Sequence, residues 1–227
     1  MIQIKKSAIF IADSHYPHHK KDFVDILKKI EDKSIKTPQL FLMGDNFDLL
    51  FGYNEYIKTF SQDAITLLQN LSSHIDIYYF EGNHDFCLSE IFPQIRVYSR
   101  DEQPVIFGLN NQRVAISHGD RYATGFGYNL YSKLLRNRYT LTLLKPWERK
   151  IIDYQMKKLS QKKICHSFDR FEQRVEEIMR EYKDIDLVVE GHFHQGKIVG
   201  RYISLPSQAC QGQIGVIRDS KMVFVKL

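Results

Sequence analysis

The sequence predicts an α/β fold in which helices cover a β-sheet. Segments with the apolar pattern of buried strands alternate along the first 80 residues with segments whose apolar residues recur at helical spacing. Aspartate, histidine and asparagine directly follow several of the strand patterns, and α/β folds bind ligands in such loops. With 43% hydrophobic residues in a chain of 227, one domain with a substantial core is expected.

The predicted elements of this first part are a strand at 7–12, a helix at 22–30, a strand at 40–43, a helix at 61–71 and a strand at 75–80. In the first helix the apolar residues Phe23, Ile26, Leu27 and Ile30 share one face. Each strand pattern is short and apolar and ends at a glycine or a polar residue. The order strand, helix, strand is the opening of an α/β fold.

Strand patterns return after residue 100, separated by one long helix-rich segment. Two short strands, at 105–107 and 113–117, are predicted to form a hairpin around Asn110-Asn111. The tail has strand patterns at 187–189, 214–217 and 222–225, the last two joined by a turn at Asp219-Ser220. In the helix-rich segment between residues 117 and 187, Pro146 is expected to start a helix. A further helix in this segment carries apolar residues from Phe168 to Tyr182. We therefore expect a single domain, 1–227, with a helical insertion at about 125–182.

Five short polar motifs follow strand patterns and contain the side chains that bind metals. They are Asp13-Ser14-His15, Gly44-Asp45, Gly82-Asn83-His84-Asp85, His118-Gly119-Asp120 and Gly191-His192-Phe193-His194. Seven of their residues offer carboxylate oxygen, amide oxygen or imidazole nitrogen: Asp13, His15, Asp45, Asn83, His118, His192 and His194. This donor set suits Mn²⁺, Fe²⁺ or Zn²⁺. Seven ligands exceed one tetrahedral site, so two divalent ions sharing a carboxylate are expected.

Cysteine content indicates neither a disulfide framework nor a cysteine-ligated zinc site. The chain has three cysteines, Cys87, Cys165 and Cys210, an odd number without the paired spacing of such sites. We expect all three to be free thiols that pack in the fold.

Positive charge is concentrated in residues 132–163, which contain ten basic and two acidic residues, although the whole chain carries only +5. Leucines, isoleucines and Trp147 interleave with these basic residues. The pattern favours an anionic partner, whether phosphate, lipid head group or nucleic acid, and is compatible with an ordinary solvated helix face. No apolar run is long enough to span a bilayer and the N-terminus lacks a signal-peptide pattern, so we expect a cytoplasmic protein, free or attached to a membrane surface.

The five motifs, in this order, resemble those of the calcineurin-like metallophosphoesterase superfamily. The resemblance implies a β-sandwich of mixed sheets flanked by helices. It also implies that Asp13, His15, Asp45 and His194 hold one metal, and that Asp45, Asn83, His118 and His192 hold the other. His84 would contact the phosphate and help protonate the leaving group, and Asp85 would orient His84. Mn²⁺ is the expected ion, with Fe²⁺ and Zn²⁺ as alternatives.

Within this superfamily the chain is most similar to the UDP-2,3-diacylglucosamine diphosphatases of lipid A biosynthesis. The similar segments are 44–52, 82–86 and the start of the insertion after His118. The resemblance implies cleavage of a nucleotide-lipid diphosphate to UMP and 2,3-diacylglucosamine 1-phosphate beneath a helical cap, at the cytoplasmic face of the inner membrane, with no stable nucleic-acid partner. The implied substrate-binding residues are Asn83, His84, Tyr128, Lys162, Lys163 and Asp169. His84 stands where many of these diphosphatases have arginine.

Two other functions are compatible with the motifs. A general phosphodiesterase or phosphoprotein phosphatase would use the same metal pair on another phosphoester. A non-catalytic binding module on the same fold would be expected to have lost ligands. All seven ligands and His84 are present, which favours an enzyme.

Overall fold

The computed structural model describes residues 1–19, 22–121, 127, 133–165 and 168–226. Its strands are β1 (Ile9–Ile11), β2 (Gln39–Leu42), β3 (Leu50–Phe51), β4 (Asp76–Phe80), β5 (Asp85–Phe86), β6 (Arg96–Tyr98), β7 (Val105–Leu109), β8 (Gln112–Ser117), β9 (Leu187–Glu190), β10 (Lys197–Val199), β11 (Tyr202–Ser204), β12 (Gln213–Arg218) and β13 (Lys221–Lys226). Its α-helices are α1 (Asp22–Glu31), α2 (Glu55–Lys58), α3 (Gln62–Leu71), α4 (Arg138–Leu144), α5 (Glu148–Ser160), α6 (Phe171–Met179) and α7 (Gln208–Gln211). Strands and helices alternate at the start, as the apolar patterns predict.

Two mixed sheets contain most of the described strands. The six-stranded sheet has the order β13-β12-β1-β2-β4-β6, and β1, β2, β4 and β6 run parallel in it. The five-stranded sheet has the order β10-β11-β9-β8-β7, with β8, β9 and β11 parallel. Strands β3 and β5 form a small parallel pair. The ends of parallel strands lie on one edge of each sheet, which brings the loops that follow them together.

An aromatic core joins the two sheets face to face. Phe41 lies at its centre, stacked on Phe10 at 4.3 Å between ring centroids and on Tyr78 at 4.8 Å. Phe107 of the five-stranded sheet contacts Phe41 edge to face at 5.4 Å. Alternate residues of β1 point the other way, so that Ile9 and Ile11 face the helices. Both faces of the central strands are therefore buried, as their uninterrupted apolar sequence indicates.

Helices cover the two outer faces. Helices α1 and α3 pack on the six-stranded sheet, and α6 packs on the five-stranded sheet through Phe171, Val175 and Ile178. The arrangement is a sandwich of mixed sheets flanked by helices, and the predicted fold class is confirmed. Among the described residues, none of the helices combines the length and the apolar character that crossing a bilayer requires.

Both predicted hairpin turns are present. Asn110 and Asn111 have φ of 48° and 67° and join β7 to β8, and Asp219 and Ser220 have φ of 45° and 64° between β12 and β13. Two consecutive left-handed residues are typical of the tight turns that match strand twist. Pro146 lies in a single 3₁₀ turn, Lys145–Trp147, and α5 begins directly after it. The one-turn helices α2 and α7 and the β3–β5 pair are too short to show a sequence period.

The predicted insertion divides into two parts. Helix α5 contacts the first half of the chain: Asn54 Nδ2 donates to Glu148 Oε2 at 2.8 Å, and Tyr56 OH donates to Asp153 Oδ1 at 2.7 Å. Helix α6, at the end of the predicted insertion, belongs instead to the outer layer of the sandwich. The predicted cap over the site can therefore involve α4 and α5 but not α6.

The expectation of three free thiols is wrong. Cys165 and Cys210 form a disulfide with their Cα atoms 5.5 Å apart, and Cys87 is the free cysteine. The two partners are 45 residues apart in sequence, and only the fold brings the segment after α5 against α7. The spacing of cysteines in a sequence can indicate a disulfide framework or a metal site, but it does not predict one disulfide between two distant residues.

Candidate metal centre

One group of possible metal ligands consists of Asp13, His15 and His194, whose ligand atoms all lie within 4.8 Å of one another. Asp13 and His15 follow β1, and His194 follows β9 of the other sheet. Asp13 is completely buried, and its Oδ1 lies 3.2 Å from His194 Nε2. The site thus joins the two sheets at their common edge.

A second group consists of Asp45, His118 and His192, with ligand atoms also within 4.8 Å of one another. His118 Nε2 is at its centre, 3.6 Å from Asp45 Oδ2, 3.3 Å from Asn83 Oδ1 and 3.2 Å from His192 Nδ1. Asp13 connects the groups, because its Oδ2 accepts a hydrogen bond from the backbone N–H of His192 at 3.0 Å. All seven predicted ligands therefore converge.

The loops reach this geometry through left-handed backbone at most of the ligands. The φ angle is 53° at Asp13, 48° at His15, 49° at Asp45, 60° at His192 and 56° at His194. Such a conformation is unfavourable for a residue with a Cβ and persists only where the surrounding structure enforces it. Its recurrence at five ligands indicates that the loops are shaped for the site.

Glycines next to two ligands allow a close approach of backbone and side chain. Gly44 has φ of 83°, and a Cβ there would overlap the ring of His118. A Cβ on Gly82 would overlap the Asp45 carboxylate and backbone nitrogen. Gly44 and Gly82 are therefore required because a side chain at either position would overlap a ligand from another motif.

The two groups fit divalent cations. Asp13 Oδ1 and His15 Nδ1 are buried and, within the described part of the chain, make no hydrogen bond of good geometry; Nε2 of His194, another predicted ligand, lies 3.2 Å from Asp13 Oδ1. A buried carboxylate oxygen without a partner is costly unless a cation neutralises it. Carboxylate, amide and imidazole donors without a thiolate favour Mn²⁺, Fe²⁺ or Zn²⁺ over copper.

The tautomer of His118 is fixed for metal binding. Its Nδ1 donates to the backbone carbonyl of Met43 at 2.8 Å, which leaves Nε2 toward Asp45 and His192. Burial opposes protonation of His118, but Asp45 and other nearby carboxylates raise its pKa to about 9. Burial lowers the pKa of His15 to about 3 and that of His192 to about 4. A cation at the second group would therefore compete with a proton for His118.

His84 adjoins both groups. Its ring lies 5.1 Å from the ring of His15, and its backbone N–H donates to Asp45 Oδ1 at 2.8 Å. Its Nδ1 is 2.6 Å from the backbone carbonyl of Asp48, so Nδ1 carries a proton and donates it to that oxygen. Nε2 is then the nitrogen that can exchange a proton with a bound molecule.

The prediction that Asp85 orients His84 is wrong. The Asp85 carboxylate is fully buried and accepts hydrogen bonds from the backbone N–H groups of Asp45, Asn46 and Gly82 at 2.8–2.9 Å and from Tyr79 OH at 2.6 Å. The Asp48 carbonyl takes the orienting role instead. Asp85 starts the short strand β5, which points its side chain beneath the loop rather than toward the adjacent imidazole.

Three further residues that the motifs do not include contact the site loops. Asp48 accepts from His18 Nδ1 at 2.7 Å, and Arg136 of the predicted insertion donates to the Gly82 carbonyl at 2.6 Å. Arg174 of α6 donates to the Gly119 carbonyl at 3.2 Å. In the sequence Arg136 is one basic residue among ten, and Arg174 lies on a charged helix face. The surrounding sequence therefore does not indicate that either residue contacts the site.

Two cavities adjoin the metal ligands. The first, about 250 Å³, is lined by His15, Asp45, Asn83, His84, Lys162, Ile164, Phe168, His192, Phe193 and His194. The second, about 290 Å³, shares Asn83 and His84 with the first and is otherwise mostly apolar. Of the remaining predicted substrate-binding residues, Lys162 lines the first cavity, Lys163 and Asp169 are exposed and line neither cavity, and Tyr128 lies outside the described residues.

A family model described as calcineurin-like phosphoesterase matches residues 7–196, which include every predicted ligand. A UDP-2,3-diacylglucosamine hydrolase from Marinobacter nauticus is 25% identical over 200 residues, covering 85% of this chain and 82% of that protein. Another from Photorhabdus laumondii is 28% identical over 196 residues, covering 82% and 81%. A solved structure of a dimetal phosphatase from Danio rerio is similar with a TM-score of 0.46 and 12% identity, covering 96% of this chain and 95% of that one.

The Asp85→Asn substitution should destabilise the fold and weaken metal binding. An amide nitrogen would replace one acceptor oxygen and face backbone N–H groups, leaving buried donors unpaired at a cost of about 1–3 kcal/mol. Urea unfolding of the metal-free protein measures the loss, and calorimetric titration with Mn²⁺ measures the affinity.

Asp76→Asn is the matched control, because Asp76 pairs with Lys5 at the protein surface. This variant should unfold and bind Mn²⁺ like the wild type. Wild-type stability in Asp85→Asn would show that the four hydrogen bonds do not hold the loops.

Proposed function

We propose, from the premise that the chain belongs to the calcineurin-like phosphoesterase family, that it hydrolyses the diphosphate of UDP-2,3-diacylglucosamine to UMP and 2,3-diacylglucosamine 1-phosphate. The family and the hydrolase relatives establish a metal-dependent hydrolase. The names of those relatives support the lipid-nucleotide substrate. The observation that carries the proposal is the apolar cavity that meets the metal cavity at Asn83 and His84.

The apolar cavity is suited to an acyl chain. One side is formed by Leu49, Phe51 and Phe86 of the sandwich, and the other by Leu135, Leu141, Leu144, Ile151, Ile152 and Leu159 of the insertion. Each methylene buried there would contribute about 0.8 kcal/mol to binding. We propose that residues 1–227 form one domain in which the insertion, at about 125–182, acts as a cap through α4 and α5.

Positive charge beside the cavities favours an anionic substrate. Lys162 lines the metal cavity, and two divalent cations would outweigh the charges of Asp13 and Asp45. A diphosphate linked to an acylated sugar combines the anion and the apolar group that the two cavities accept. A phosphopeptide or a simple diester would leave the apolar cavity unfilled.

The residues that would hold the ions are Asp13, His15, Asp45 and His194 for one and Asp45, Asn83, His118 and His192 for the other. Asp45 is the proposed bridging ligand: its Oδ2 lies 3.6 Å from His118 Nε2 of the second group, and it lines the same cavity as His15 and His194 of the first. We propose Mn²⁺ because oxygen donors are a large share of the set. When bound, such a pair polarises a phosphoryl oxygen and lowers the pKa of water.

His84 is the proposed general acid, and Asn83 and His84 would contact the phosphate at the junction of the cavities. In the proposed step His84 enters doubly protonated. A water oxygen forms a bond to one phosphorus and loses a proton to solvent, the bridging P–O bond on that phosphorus breaks, and the departing phosphate oxygen takes the proton from His84 Nε2, which leaves the ring neutral with its proton on Nδ1. The Nδ1 bond to the Asp48 carbonyl keeps Nε2 directed away from the protein backbone.

We also propose that the insertion attaches the protein to the cytoplasmic face of the inner membrane. Tyr139, Leu143 and Trp147 are 73%, 74% and 57% exposed, and the first two are one helical turn apart. Basic residues flank them, which suits an anionic lipid surface. Exposed apolar patches rimmed by polar residues are typical of sites that bind membranes or other proteins.

Hydrolysis of UDP-2,3-diacylglucosamine tests the proposed function directly. With Mn²⁺ present, turnover of this substrate should greatly exceed that of bis(p-nitrophenyl) phosphate and of a phosphopeptide. No preference among the three would indicate a general phosphodiesterase or phosphoprotein phosphatase. No turnover of any, despite bound metal, would indicate a binding module.

The Asp45→Ala substitution should lower the occupancy of both metal sites, because in our proposal the Asp45 carboxylate would be a ligand to both ions. Elemental analysis after dialysis against Mn²⁺ measures ions per chain. Asp63→Ala is the control, because Asp63 accepts a hydrogen bond from Tyr16 and belongs to neither ligand group. Two ions per chain in Asp45→Ala would contradict the bridging role.

The His84→Ala substitution should leave metal content nearly intact and reduce turnover by about two to four orders of magnitude, as expected for loss of a general acid. Steady-state kinetics and elemental analysis on the same sample measure the two effects. A turnover equal to that of the wild type would refute the role of His84.

Replacing Leu143 and Trp147 by serine should weaken binding to vesicles that contain phosphatidylglycerol and leave hydrolysis of bis(p-nitrophenyl) phosphate unchanged. Co-sedimentation measures binding. Ile198→Ser removes an exposed apolar residue outside the insertion and serves as control. Equal sedimentation of both proteins would contradict attachment through this surface.

A further inference from the structure

The metal cavity has an aromatic wall that the proposed chemistry does not use. The ring of Phe168 stacks on that of Phe193 with centroids 5.5 Å apart and planes inclined by 26°. Both rings line the same 250 Å³ cavity as His84 and the metal ligands. Phe168 remains 39% exposed although it is a large apolar side chain. Part of its ring is therefore accessible from the cavity.

Phe193 is held firmly beneath this surface. The guanidinium carbon of Arg174 lies 3.9 Å from its ring centroid, and the His192 ring packs edge-on against it at 4.8 Å. Arg174 itself is buried and donates to the Gly119 carbonyl. The aromatic pair thus rests on a fixed support next to the ligand His192.

Each cavity would hold a different half of the substrate. The two cavities meet at Asn83 and His84, where the reacting phosphate is proposed to lie. The aliphatic walls of one cavity suit acyl chains. The other cavity has a flat aromatic face and is also lined by the basic residue Lys162. A planar base and a phosphate are the groups that stack on such a face and pair with such a cation.

We propose that Phe168, supported by Phe193, is the nucleobase subsite, and that Lys162 pairs with a phosphate of the same nucleotide. This inference rests on the proposed function, whose substrate contains a nucleotide. It fixes the orientation of that substrate: the nucleotide half lies in the metal cavity along the aromatic wall, and the acylated sugar extends past His84 into the apolar cavity.

Calorimetry with the Mn²⁺-loaded protein tests the subsite without requiring turnover. The two ligands are UMP and ribose 5-phosphate, which share a sugar and a phosphate monoester but differ in the base. Wild-type protein should bind UMP roughly 5- to 150-fold more tightly, the range expected for stacking of one base. Phe168→Leu should lose most of this preference by weakening UMP binding alone, whereas Phe168→Trp should keep it.

Two further variants separate the contribution of the base from that of the phosphate and control for loss of an aromatic residue elsewhere. Lys162→Ala should weaken both ligands by a similar factor, because it acts on the phosphate. Tyr154→Leu removes an exposed aromatic residue of α5 that lines neither cavity and should bind both ligands like the wild type. Its wild-type behaviour would show that the loss in Phe168→Leu is local.

The subsite would be overturned by equal wild-type affinity for UMP and ribose 5-phosphate, by binding of neither, or by an unchanged preference in Phe168→Leu. Hydrolysis of the lipid nucleotide is measured separately. Turnover of that substrate without a preference for UMP would retain the function and reject the subsite. A preference for UMP without turnover would retain the subsite and reject the function.

Discussion

The structure of the site depends on one buried carboxylate that binds no metal in our proposal. Asp85 accepts hydrogen bonds from the backbone of two loops, at Asp45 and Asn46 in one and at Gly82 in the other. These loops follow neighbouring parallel strands, β2 and β4, and each carries a predicted ligand. Without a common acceptor, their buried N–H groups would lack partners. Asp45 therefore lies beside Asn83 because the backbone N–H groups of both loops donate hydrogen bonds to the same Asp85 carboxylate.

A second constraint is the meeting of two sheets at one edge. Asp13 and Asp45 follow strands of the six-stranded sheet, and His118 and His192 follow strands of the five-stranded sheet. The aromatic core between the sheets fixes their separation, so ligands from opposite sides reach each other across the sandwich. Left-handed backbone at the ligands turns each loop sharply inward. The unfavourable local conformation is offset by the packing of the surrounding sheets and, in our proposal, by the bound cations.

The insertion shapes the space above this edge. Arg136 reaches the carbonyl of Gly82, and His19 Nε2 lies 3.0 Å from the Leu159 carbonyl, so α5 and the segment before α4 are tied to two of the ligand loops. The apolar cavity exists only because aliphatic residues of the insertion face Phe51 and Phe86 of the sandwich. A substrate that fills this cavity would thus bind the insertion and the loop of Asn83 together.

The sequence by itself determined the fold class, the alternation of strands and helices over the first 80 residues, both hairpins and the seven candidate metal ligands, because apolar periodicity and polar residues after strands are local properties of the chain. The calcineurin-like assignment drawn from five ordered motifs is confirmed by the family match. Only the tertiary structure decided that the Asp48 carbonyl rather than Asp85 orients His84, that Cys165 pairs with Cys210, that Arg174 supports Phe193 and that α6 covers a sheet. Each of these depends on contacts between segments distant in sequence or on the direction of a side chain, which residue spacing does not encode.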